Sequence, residues 1–503
     1  MTPSRLDRRQ FIRASAALTL TAASAGRVLG SNERIGVAFL GAGGRCQAHI
    51  KILNQFHREQ GGVEAVAVCD VWDGDDKVKR GLYYSAEKCG LKPADKAHVT
   101  KDYRRVLDLK EVDVVCIASP DHWHAKMVLD AARAGKGIFC EKPMTKTIEE
   151  AQAVVDTVRR ENRVMTVGVQ SMADPRWRLA NELIRAGKIG HVAQAQTSYY
   201  RNSKVGQWRY YRLTSDMTPS TIDWDMFVGH RFEAIPGKPL AEPMPFDRAL
   251  YGQWRCYWPF GSGMFTDLFV HQTTHMIAAM GVRYPARVVG AGGLYLEHDG
   301  RDVPDVATVV ADYDEGCQLI VTATMLNRYP IEEVIRGHTG TIKFMKDGFA
   351  LIPDVPGGGA GSPARLEETI AGEYKDCHSP KNGDEETKAL WLDFLKCYRD
   401  GNRQTVSTPE LGAAAFTTVA LGVKSYREGR ALYWDKETRI PREADATWAA
   451  KWERQSHAGA KPSQILGWQG ADDGSRLEPP SYQSLAGPWV DGKDPAGGAG
   501  AGG

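Results

Sequence analysis

A glycine-rich turn between an apolar run and a helical stretch is the feature that most constrains the fold of this chain. Residues 34–40 have the length and apolarity of a buried strand, and Gly41-Ala-Gly-Gly-Arg-Cys46 follows at once. A helical stretch at 47–60 then leads to a second apolar run, 63–69, which ends in Asp70. A strand, a glycine turn, a helix and a second strand ending in an acid together predict a dinucleotide-binding βαβ unit. The turn by itself could serve only to reverse the chain, so the prediction depends on the whole unit.

The glycines of this turn have separate chemical roles. Gly41 permits the tight turn, and Gly43 lets the backbone approach a pyrophosphate. The N-terminus of the helix that follows would bind phosphate oxygens through its free N–H groups and its dipole. The third position of the pattern is Cys46 instead of glycine or alanine, which is small enough for helix–strand packing.

Asp70 predicts which dinucleotide is bound. A carboxylate at the end of the second strand accepts hydrogen bonds from the ribose hydroxyls and repels a 2′-phosphate, so NAD is favoured over NADP. Arg45, beside the turn, could partly offset this preference.

The alternation of short strands and helices continues to residue 170. This alternation predicts a parallel sheet covered by helices on both faces, an α/β Rossmann domain at 31–170. The further strand candidates are 112–118, 137–140 and 164–169, and the helix candidates are 124–134 and 148–161.

Strand candidates without intervening helices follow, and they predict a second, α+β domain at 171–440 with a large, mostly antiparallel sheet. These candidates are 192–200, 288–296, 307–313, 318–325 and 333–337, and helices are expected at 175–188, 387–400 and 409–429. We expect long loops at 201–260, a surface loop at 354–364, and an irregular C-terminal extension at 441–503 that ends in a disordered Gly/Ala tail.

Residues 1–30 have the pattern of a secretory signal. Arg8 and Arg9 precede a weakly apolar run, 14–25, which ends in Ala-Ser-Ala. The string is similar to the bacterial twin-arginine signal, which addresses folded proteins for export. We therefore expect the Tat export machinery as a partner, a periplasmic mature chain that starts near Gly26, and a cofactor bound before export. The alternative is a basic N-terminal helix.

Composition excludes several classes of protein. The 64 Lys and Arg residues against 62 Asp and Glu residues leave a formal charge of +2, which is too balanced to indicate a nucleic-acid partner. The nine cysteines form no CxxC spacing, so neither a disulfide framework nor a zinc site is predicted.

Three further motifs carry a family resemblance. Ser119-Pro-Asp-His-Trp-His-Ala125, Cys140-Glu-Lys-Pro143 and Gly263-x-x-x-Asp267-x-x-x-His271 occur in that order. Together they resemble the motifs of the Gfo/Idh/MocA oxidoreductases, over nearly the whole chain between the signal and residue 440. The resemblance implies a Rossmann domain followed by an open-faced sheet domain, homo-oligomers (dimers or tetramers) formed through that sheet, and NAD(P)-dependent chemistry on sugars or polyols. It also implies that six residues lie near the cofactor: Ser119, Pro120, His122, His124, Glu141 and Lys142.

The same resemblance assigns catalytic roles to Lys142, Asp267 and His271. Hydride transfer from a carbinol needs a base for the hydroxyl proton and a cation for the developing alkoxide. Lys142 would hold the oxygen, His271 would act as general acid/base, and Asp267, at i−4 on the same helix face, would orient the imidazole or a substrate hydroxyl. His275 continues this face and is interpreted as a satisfied core histidine, although an Asp-His-His stripe could also ligate a metal.

Substrate contacts are predicted for Gln170, Trp208, Trp258 and His275. The two tryptophans lie in the loop-rich segment before the Asp267 motif, where they could stack on sugar rings. Packing is the alternative for each of them.

We expect an NAD-dependent oxidoreductase that acts on a carbohydrate or polyol CH–OH group with a tightly bound cofactor. The alternative is a redox-neutral NAD-dependent glycosidase, in which transient oxidation at C3 acidifies the C2 hydrogen and permits elimination of the aglycone. A third hypothesis is a sugar-binding protein on an inactive dehydrogenase fold.

Overall fold

The computed structural model describes residues 34–345, 348–354 and 382–474. The predicted signal, nearly all of the predicted loop at 354–364 and the Gly/Ala tail therefore lie outside the described residues. No helix within the described ranges is long and apolar enough to cross a membrane.

The elements follow one another along the chain as strands β1–β17 and helices α1–α13. Up to residue 168 they are β1 (Ile35–Leu40), α1 (Gly44–Gln60), β2 (Val63–Cys69), α2 (Leu82–Lys88), β3 (Val99–Thr100), α3 (Tyr103–Leu107), β4 (Val114–Ile117), α4 (Asp121–Arg133), β5 (Gly137–Glu141), α5 (Ile148–Arg160) and β6 (Met165–Gly168). From there to residue 293 they are α6 (Arg176–Arg185), β7 (Val192–Tyr200), α7 (Trp224–Val228), β8 (Glu233–Ile235), β9 (Lys238–Pro239), α8 (Arg248–Gly252), α9 (Met264–Asp267), α10 (Phe269–Met280) and β10 (Arg287–Gly293). The last are β11 (Val306–Tyr313), β12 (Cys317–Thr324), β13 (Val334–Gly337), β14 (Gly340–Met345), β15 (Gly348–Pro353), α11 (Gly383–Arg399), α12 (Pro409–Glu428), β16 (Leu432–Asp435), β17 (Ile440–Glu443) and α13 (Thr447–His457).

The chain forms two compact units that are not contiguous in sequence. The first unit contains the chain up to Gly168 together with Tyr211–Trp254 and Thr387–Pro409. The second contains Val169–Tyr210, Arg255–Glu386 and the chain from Glu410 onward. A contiguous division at residue 170 therefore misses two segments that return to the first unit.

The first unit is built on a six-stranded parallel sheet with the order β3-β2-β1-β4-β5-β6. This is the doubly wound dinucleotide-binding order, in which the carboxyl ends of the strands border the ligand crevice. All residues of β1, β4 and β5 are buried, as expected for central strands covered on both faces. The predicted Rossmann fold is confirmed.

The second unit is built on a nine-stranded sheet with the order β15-β14-β13-β7-β12-β11-β10-β16-β17. Only the β7–β12 pair is parallel, so the expectation of a mostly antiparallel sheet is confirmed. Alternate residues of β12 are buried, which is the pattern of a sheet with one covered face.

Segment 211–254, expected as part of a long loop, is instead an integral part of the first unit. Ile222 bridges Trp72 in antiparallel fashion, and the Asp223 N–H donates to the Val71 carbonyl at 2.9 Å. Trp72, Ile222 and Met217 form a buried apolar cluster. Loop composition concealed this segment because its elements are short and its partners are distant in sequence.

The C-terminal extension is also more regular than expected. It contains most of β17 and all of α13, and Ile465 is fully buried. The Leu466 N–H donates to the Gly281 carbonyl at 3.1 Å, directly after α10. The described part of the extension is therefore packed within the second unit.

Candidate active site

The glycines in the turn after β1 are present for two different reasons. Gly41 has a φ of +88°, and a Cβ atom there would lie 2.5 Å from the Ser119 nitrogen, so the fold itself requires glycine. At Gly43 and Gly44 an added Cβ would meet nothing within 4 Å. Packing does not explain these two glycines, whereas the approach of a phosphate to the α1 N-terminus does.

A second observation points to a ligand beside this turn. The Ser119 hydroxyl oxygen is buried and has no hydrogen-bond partner among the described residues. An orphaned buried hydroxyl and an open glycine cradle fit a bound dinucleotide, which Gly43, Gly44 and Ser119 would help to hold.

Asp70 lies next to the turn. Its Oδ2 accepts from the Ala42 N–H at 2.6 Å, and its Oδ1 accepts from the Trp72 N–H at 2.8 Å. Burial raises the pKa of Asp70, and the two backbone N–H donors oppose that rise. Burial and the nearby charge of Asp70 raise the pKa of Tyr251. Tyr251 comes from segment 211–254, and nothing in its local sequence marked it.

Glu141, the last residue of β5, is the centre of a buried polar network. Its Oε1 accepts from Arg45 Nε at 2.8 Å and lies 2.9 Å from His49 Nε2. The Trp391 indole N–H donates to His49 Nδ1 at 2.9 Å. Burial by itself would raise the pKa of Glu141, but the charge of Arg45 and the hydrogen bond from His49 lower it overall.

The two charged members of this network are held by protein groups. Glu141 is only 4% exposed. Arg45 is held by Glu141 and also donates to the Thr387 hydroxyl at 3.1 Å. Sequence reasoning missed His49 and Trp391, whose only signal is a polar or indole side chain on a buried helix face.

The two histidines of the Ser119 motif have different surroundings. The ring nitrogens of His124 lie 2.6 Å from the Pro143 carbonyl oxygen and 2.9 Å from that of Ser119, so this ring joins two turns at the carboxyl edge of the sheet. His122 is fully buried, with Nε2 2.8 Å from the Phe227 carbonyl oxygen in segment 211–254. Burial lowers the pKa of His122 to about 3. The Nε2 of His122 therefore contacts a backbone oxygen of the same unit.

Lys142 follows β5 directly, and its peptide bond to Pro143 is cis. Pro120 is the N-cap residue of α4. Both residues are thus placed at the carboxyl ends of neighbouring strands, β5 and β4, where doubly wound sheets bind ligands.

In the second unit, Asp267 is held by two donors. Its Oδ2 accepts from the Trp208 indole N–H at 3.2 Å, and its Oδ1 accepts from Arg255 Nε at 3.0 Å. Trp208 is 1% exposed, so its position corresponds to the packing alternative and not to a sugar-stacking platform. Arg255 is a partner that sequence reasoning missed.

The helical stretch that carries the Asp267 motif is divided at Leu268 into α9 and α10. Asp267 is therefore the last residue of α9, and His271 lies in the first turn of α10. The His271 N–H donates to the Leu268 carbonyl at 3.1 Å, an i−3 bond that tightens the junction. The His271 ring lies 6.0 Å from the Tyr199 ring, measured between centroids.

His275 has protein partners on both sides of its ring. It stacks on Trp177 at a centroid distance of 3.9 Å, its Nε2 lies 2.9 Å from Glu333 Oε1, and its Nδ1 lies 3.3 Å from the Ser171 hydroxyl. This is the environment of a satisfied core histidine. In the described ranges no group of three or more His, Cys, Asp or Glu side chains is placed to hold a metal.

The remaining substrate candidates lie in the second unit. Gln170 begins a short 3₁₀ turn, and its buried Oε1 has no hydrogen-bond partner among the described residues. The Trp258 ring packs under the Arg427 guanidinium at 4.9 Å.

Two family patterns match the chain. The oxidoreductase family with an NAD-binding Rossmann fold, GFO_IDH_MocA, matches residues 35–169, and the GFO/IDH/MocA C-terminal domain matches residues 241–343. The chain belongs to the GFO/IDH/MocA family. The matched Rossmann domain is of the NAD-binding kind, and the predicted cofactor is confirmed.

Curated relatives of this GFO/IDH/MocA chain include two carbohydrate enzymes. An α-N-acetylgalactosaminidase from Shewanella oneidensis is 28% identical over 240 residues, which are 41% of this chain and 50% of that protein. A levoglucosan dehydrogenase from Pseudarthrobacter phenanthrenivorans is 32% identical over 148 residues, which are 27% of this chain and 38% of that protein. The chain thus spans half or less of the length of these curated relatives.

Solved structures show the same fold over a larger share of the chain. An oxidoreductase domain protein from Kribbella flavida has a TM-score of 0.58 at 18% identity and covers 80% of this chain and 100% of its own. A levoglucosan dehydrogenase in complex with NADH and levoglucosan has a TM-score of 0.55 at 21% identity and covers 82% of this chain and 99% of its own. At such identities the likeness concerns the fold.

Proposed function

We propose that this protein is an NAD-dependent oxidoreductase that acts on a CH–OH group of a carbohydrate or polyol and keeps its cofactor tightly bound. The observation that carries the proposal is the open cradle at Gly43 and Gly44 with the orphaned Ser119 hydroxyl beside it. The likeness to sugar-converting enzymes supports the substrate class. When bound, NAD supplies the acceptor for a hydride.

The residues of the chain supply the proton chemistry. The Lys142 ammonium holds the substrate oxygen as its charge develops, and His271 takes the hydroxyl proton. Asp267 orients the His271 imidazole or a substrate hydroxyl with a carboxylate that Trp208 and Arg255 hold in place. Because those two donors fix both carboxylate oxygens, Asp267 would have little freedom to reorient during turnover.

A redox-neutral glycosidase is the second candidate, favoured by the 240-residue likeness to an α-N-acetylgalactosaminidase. Oxidation at C3 of a glycoside would acidify the C2 hydrogen, and elimination, water addition and re-reduction would leave no net change in the cofactor. This cycle suits an enzyme that has no free NAD pool available.

One experiment separates the two candidates. The purified full chain is analysed by mass spectrometry for bound NAD(H) and then assayed on a glycoside panel for both NADH and released aglycone. Accumulation of NADH selects the dehydrogenase, and aglycone release without net NADH selects the glycosidase. A protein that neither retains NAD nor is thermally stabilised by it would contradict both.

Variants test the assigned roles. Lys142→Ala and His271→Ala should each lower turnover by roughly 10²–10⁴-fold while NAD retention stays nearly intact. Asp267→Asn should also lower turnover with NAD retention nearly intact, but by a smaller factor. Asp70→Ala is the matched control, because it should weaken NAD binding first. Near-wild-type turnover of the Lys142 and His271 variants would overturn the assignment.

We also propose that the protein is exported by the twin-arginine pathway and forms a homo-oligomer. The Arg8-Arg9 pair and the apolar run after it support the first proposal. Replacement of both arginines by lysine should leave the precursor in the cytoplasm, and unchanged export would contradict it. Light scattering of the purified protein tests the homo-oligomer, which a monomeric mass would contradict.

A further inference from the structure

A cavity of about 550 Å³ lies in the second unit, where the chain leaves β7. Its wall includes Arg201, Asn202, Lys204, Gln207, Tyr210 and Arg328. None of the described residues that line it is acidic, and three of those named are cationic. The volume falls within the range of roughly 300–1,000 Å³ that is usual for small-molecule sites.

The three cations of the cavity differ from the other cations nearby. Arg209 and Arg301 pair with Asp299, and Arg255 pairs with Asp267. In contrast, no carboxylate of the described residues lies within 4.0 Å of the charged groups of Arg201, Lys204 or Arg328. The charge of Asp267 acts on Arg201 only from beyond ion-pair distance, so a bound anion would be the first direct charged partner of these groups.

Two of the three cations are held in place by neutral groups. Arg201 Nη2 donates to the Tyr199 hydroxyl at 2.7 Å, and the guanidinium lies 4.8 Å from the centre of that ring. Arg328 Nη2 donates to the Asn202 carbonyl at 2.9 Å. Each guanidinium has five N–H donors, so donors remain for a ligand.

The cavity adjoins the candidate catalytic groups of the second unit. Trp208, which follows the lining residue Gln207, donates to Asp267. Tyr199, which holds Arg201, lies beside the His271 ring. One short stretch of chain, 199–210, thus connects the cation cluster to both candidate catalytic residues.

We propose that this cavity binds the anionic group of an acidic sugar, a carbohydrate that carries a carboxylate or a phosphate. The inference rests on the proposed function, because it names the substrate class of the same enzyme. A fork-shaped guanidinium binds either anion through paired N–H donors, and the surrounding positive field attracts a charged substrate. Neutral hexoses would lack this contact.

Binding measurements test the charge preference directly. Isothermal titration calorimetry on the full NAD-loaded chain would compare D-glucuronate and D-galacturonate with D-glucose and D-galactose, and D-glucose 6-phosphate with both sets. The uronates or the phosphate should bind about tenfold more tightly than the neutral hexoses. This advantage should shrink as salt rises from about 20 mM to about 500 mM, because salt screens exposed charges. The better of the two anions identifies the group.

Variants locate the site. Lys204 and Arg328 are exposed, so Lys204→Gln and Arg328→Gln should fold normally and weaken D-glucuronate binding about two- to fivefold each. Arg201→Gln should weaken it about tenfold, and Arg201→Lys should recover part of that loss. Lys188→Gln, which removes an exposed cation of the same unit outside the cavity, is the matched control. Binding of neutral hexoses should not change in any variant.

The outcomes distinguish this inference from the proposed function. Acidic and neutral sugars that bind equally, no detectable binding of any acidic probe, or an Arg328→Gln variant with unchanged D-glucuronate affinity would each overturn the acidic-sugar assignment. None of these results would affect an enzyme shown to oxidise neutral sugars. Conversely, acidic sugars that bind through Arg328 but yield neither NADH nor aglycone would leave the cavity assignment standing and contradict the oxidoreductase proposal.

Discussion

Each unit contains a buried histidine that contacts a glutamate, and the two pairs differ in what fixes the histidine. His49 Nε2 lies 2.9 Å from Glu141 Oε1 in the first unit, and His275 Nε2 lies 2.9 Å from Glu333 Oε1 in the second. The Trp391 indole N–H can only donate, so His49 Nδ1 must accept and Nε2 must carry the proton. The Glu333 carboxylate likewise requires a proton on His275 Nε2, but the Ser171 hydroxyl beside Nδ1 can donate or accept, so the protonation of Nδ1 is not fixed.

The pairs also differ in how the carboxylate charge is compensated. Arg45 pairs with Glu141, and burial together with that arginine lowers the pKa of His49. Glu333 has no such direct arginine contact in the described structure. Burial would raise its pKa, while the charge and hydrogen bond of His275 and the Thr197 hydroxyl lower it. Glu141 is therefore compensated by a directly paired arginine, whereas Glu333 relies on His275, the Thr197 hydroxyl and the more distant charge of Arg176.

The largest expected effect is on the Glu141 pair. Glu141→Gln should lower the free energy of unfolding by about 3 kcal/mol, because it leaves the Arg45 charge without its partner. Glu333→Gln should cost about 1 kcal/mol, since an amide can still bond to His275 and Thr197. Urea unfolding measures both, with the exposed Glu332→Gln as a control. Equal losses in the two variants would refute the difference in compensation.

The next largest effect is expected from acidification, which should lower stability where histidines are buried in their neutral form. His49, His122 and His124 of the first unit have a lowered pKa because burial disfavours their charged forms. Their contribution to stability is present above the unfolded pKa of about 6.5 and is lost as the pH falls below it. For His122, with a folded pKa of about 3, the loss between pH 6.5 and pH 5 is about 2 kcal/mol.

Hydrogen exchange at pH 7.5 and pH 5 checks this prediction region by region. Replacement of His122 by Gln should reduce the pH dependence of hydrogen-exchange protection in the first unit. His98→Gln is a control of opposite sign, because hydrogen bonds to Glu111 and Asp95 raise the pKa of His98. The stability that His98 contributes is present at low pH and is lost as the pH rises through its folded pKa. A first unit that is equally protected at both pH values would contradict the neutral assignment.

A smaller effect is expected from the indole groups that accompany each histidine. Trp391→Phe should retain the stacking on Phe139, which has a centroid distance of 4.2 Å, but should leave His49 Nδ1 without a donor. We expect a loss of about 1–2 kcal/mol, seen as a lower melting temperature. Trp177→Phe loses only a hydrogen bond to the Ser171 carbonyl and should cost about 1 kcal/mol or less. A larger cost at Trp177 would reverse the comparison.

The smallest effect is expected from His275 on activity. His275→Gln should change turnover by less than about threefold, since both ring nitrogens contact protein groups. Steady-state assays with and without a chelator measure this effect, and Trp177→Phe is the matched control beside the same ring. Chelator inhibition that added metal reverses would instead assign a metal to the Asp267–His275 stripe.

The sequence was informative wherever the signal was local. Strands β2 and β7 occur at their predicted bounds, and the strand–turn–helix around Gly41 occurs with α1 beginning three residues earlier than predicted. Asp70 lies beside the turn, as its position at the end of the second strand indicated. These features depend on backbone conformation, periodic apolarity and glycine geometry, which neighbouring residues determine.

The partners of the site residues were decided by tertiary structure. His49 and Trp391 are 342 residues apart, Tyr251 meets Asp70 from a segment expected as loop, and Trp208 supports Asp267 from within the core. No local pattern specifies which distant segment returns to cover a given strand end, because that choice depends on the combined packing of many side chains. The sequence by itself therefore determined the dinucleotide-binding fold and the motif residues at its strand ends. The packing of distant segments decided which of those residues are buried and which neighbouring groups hold them or compensate their charge.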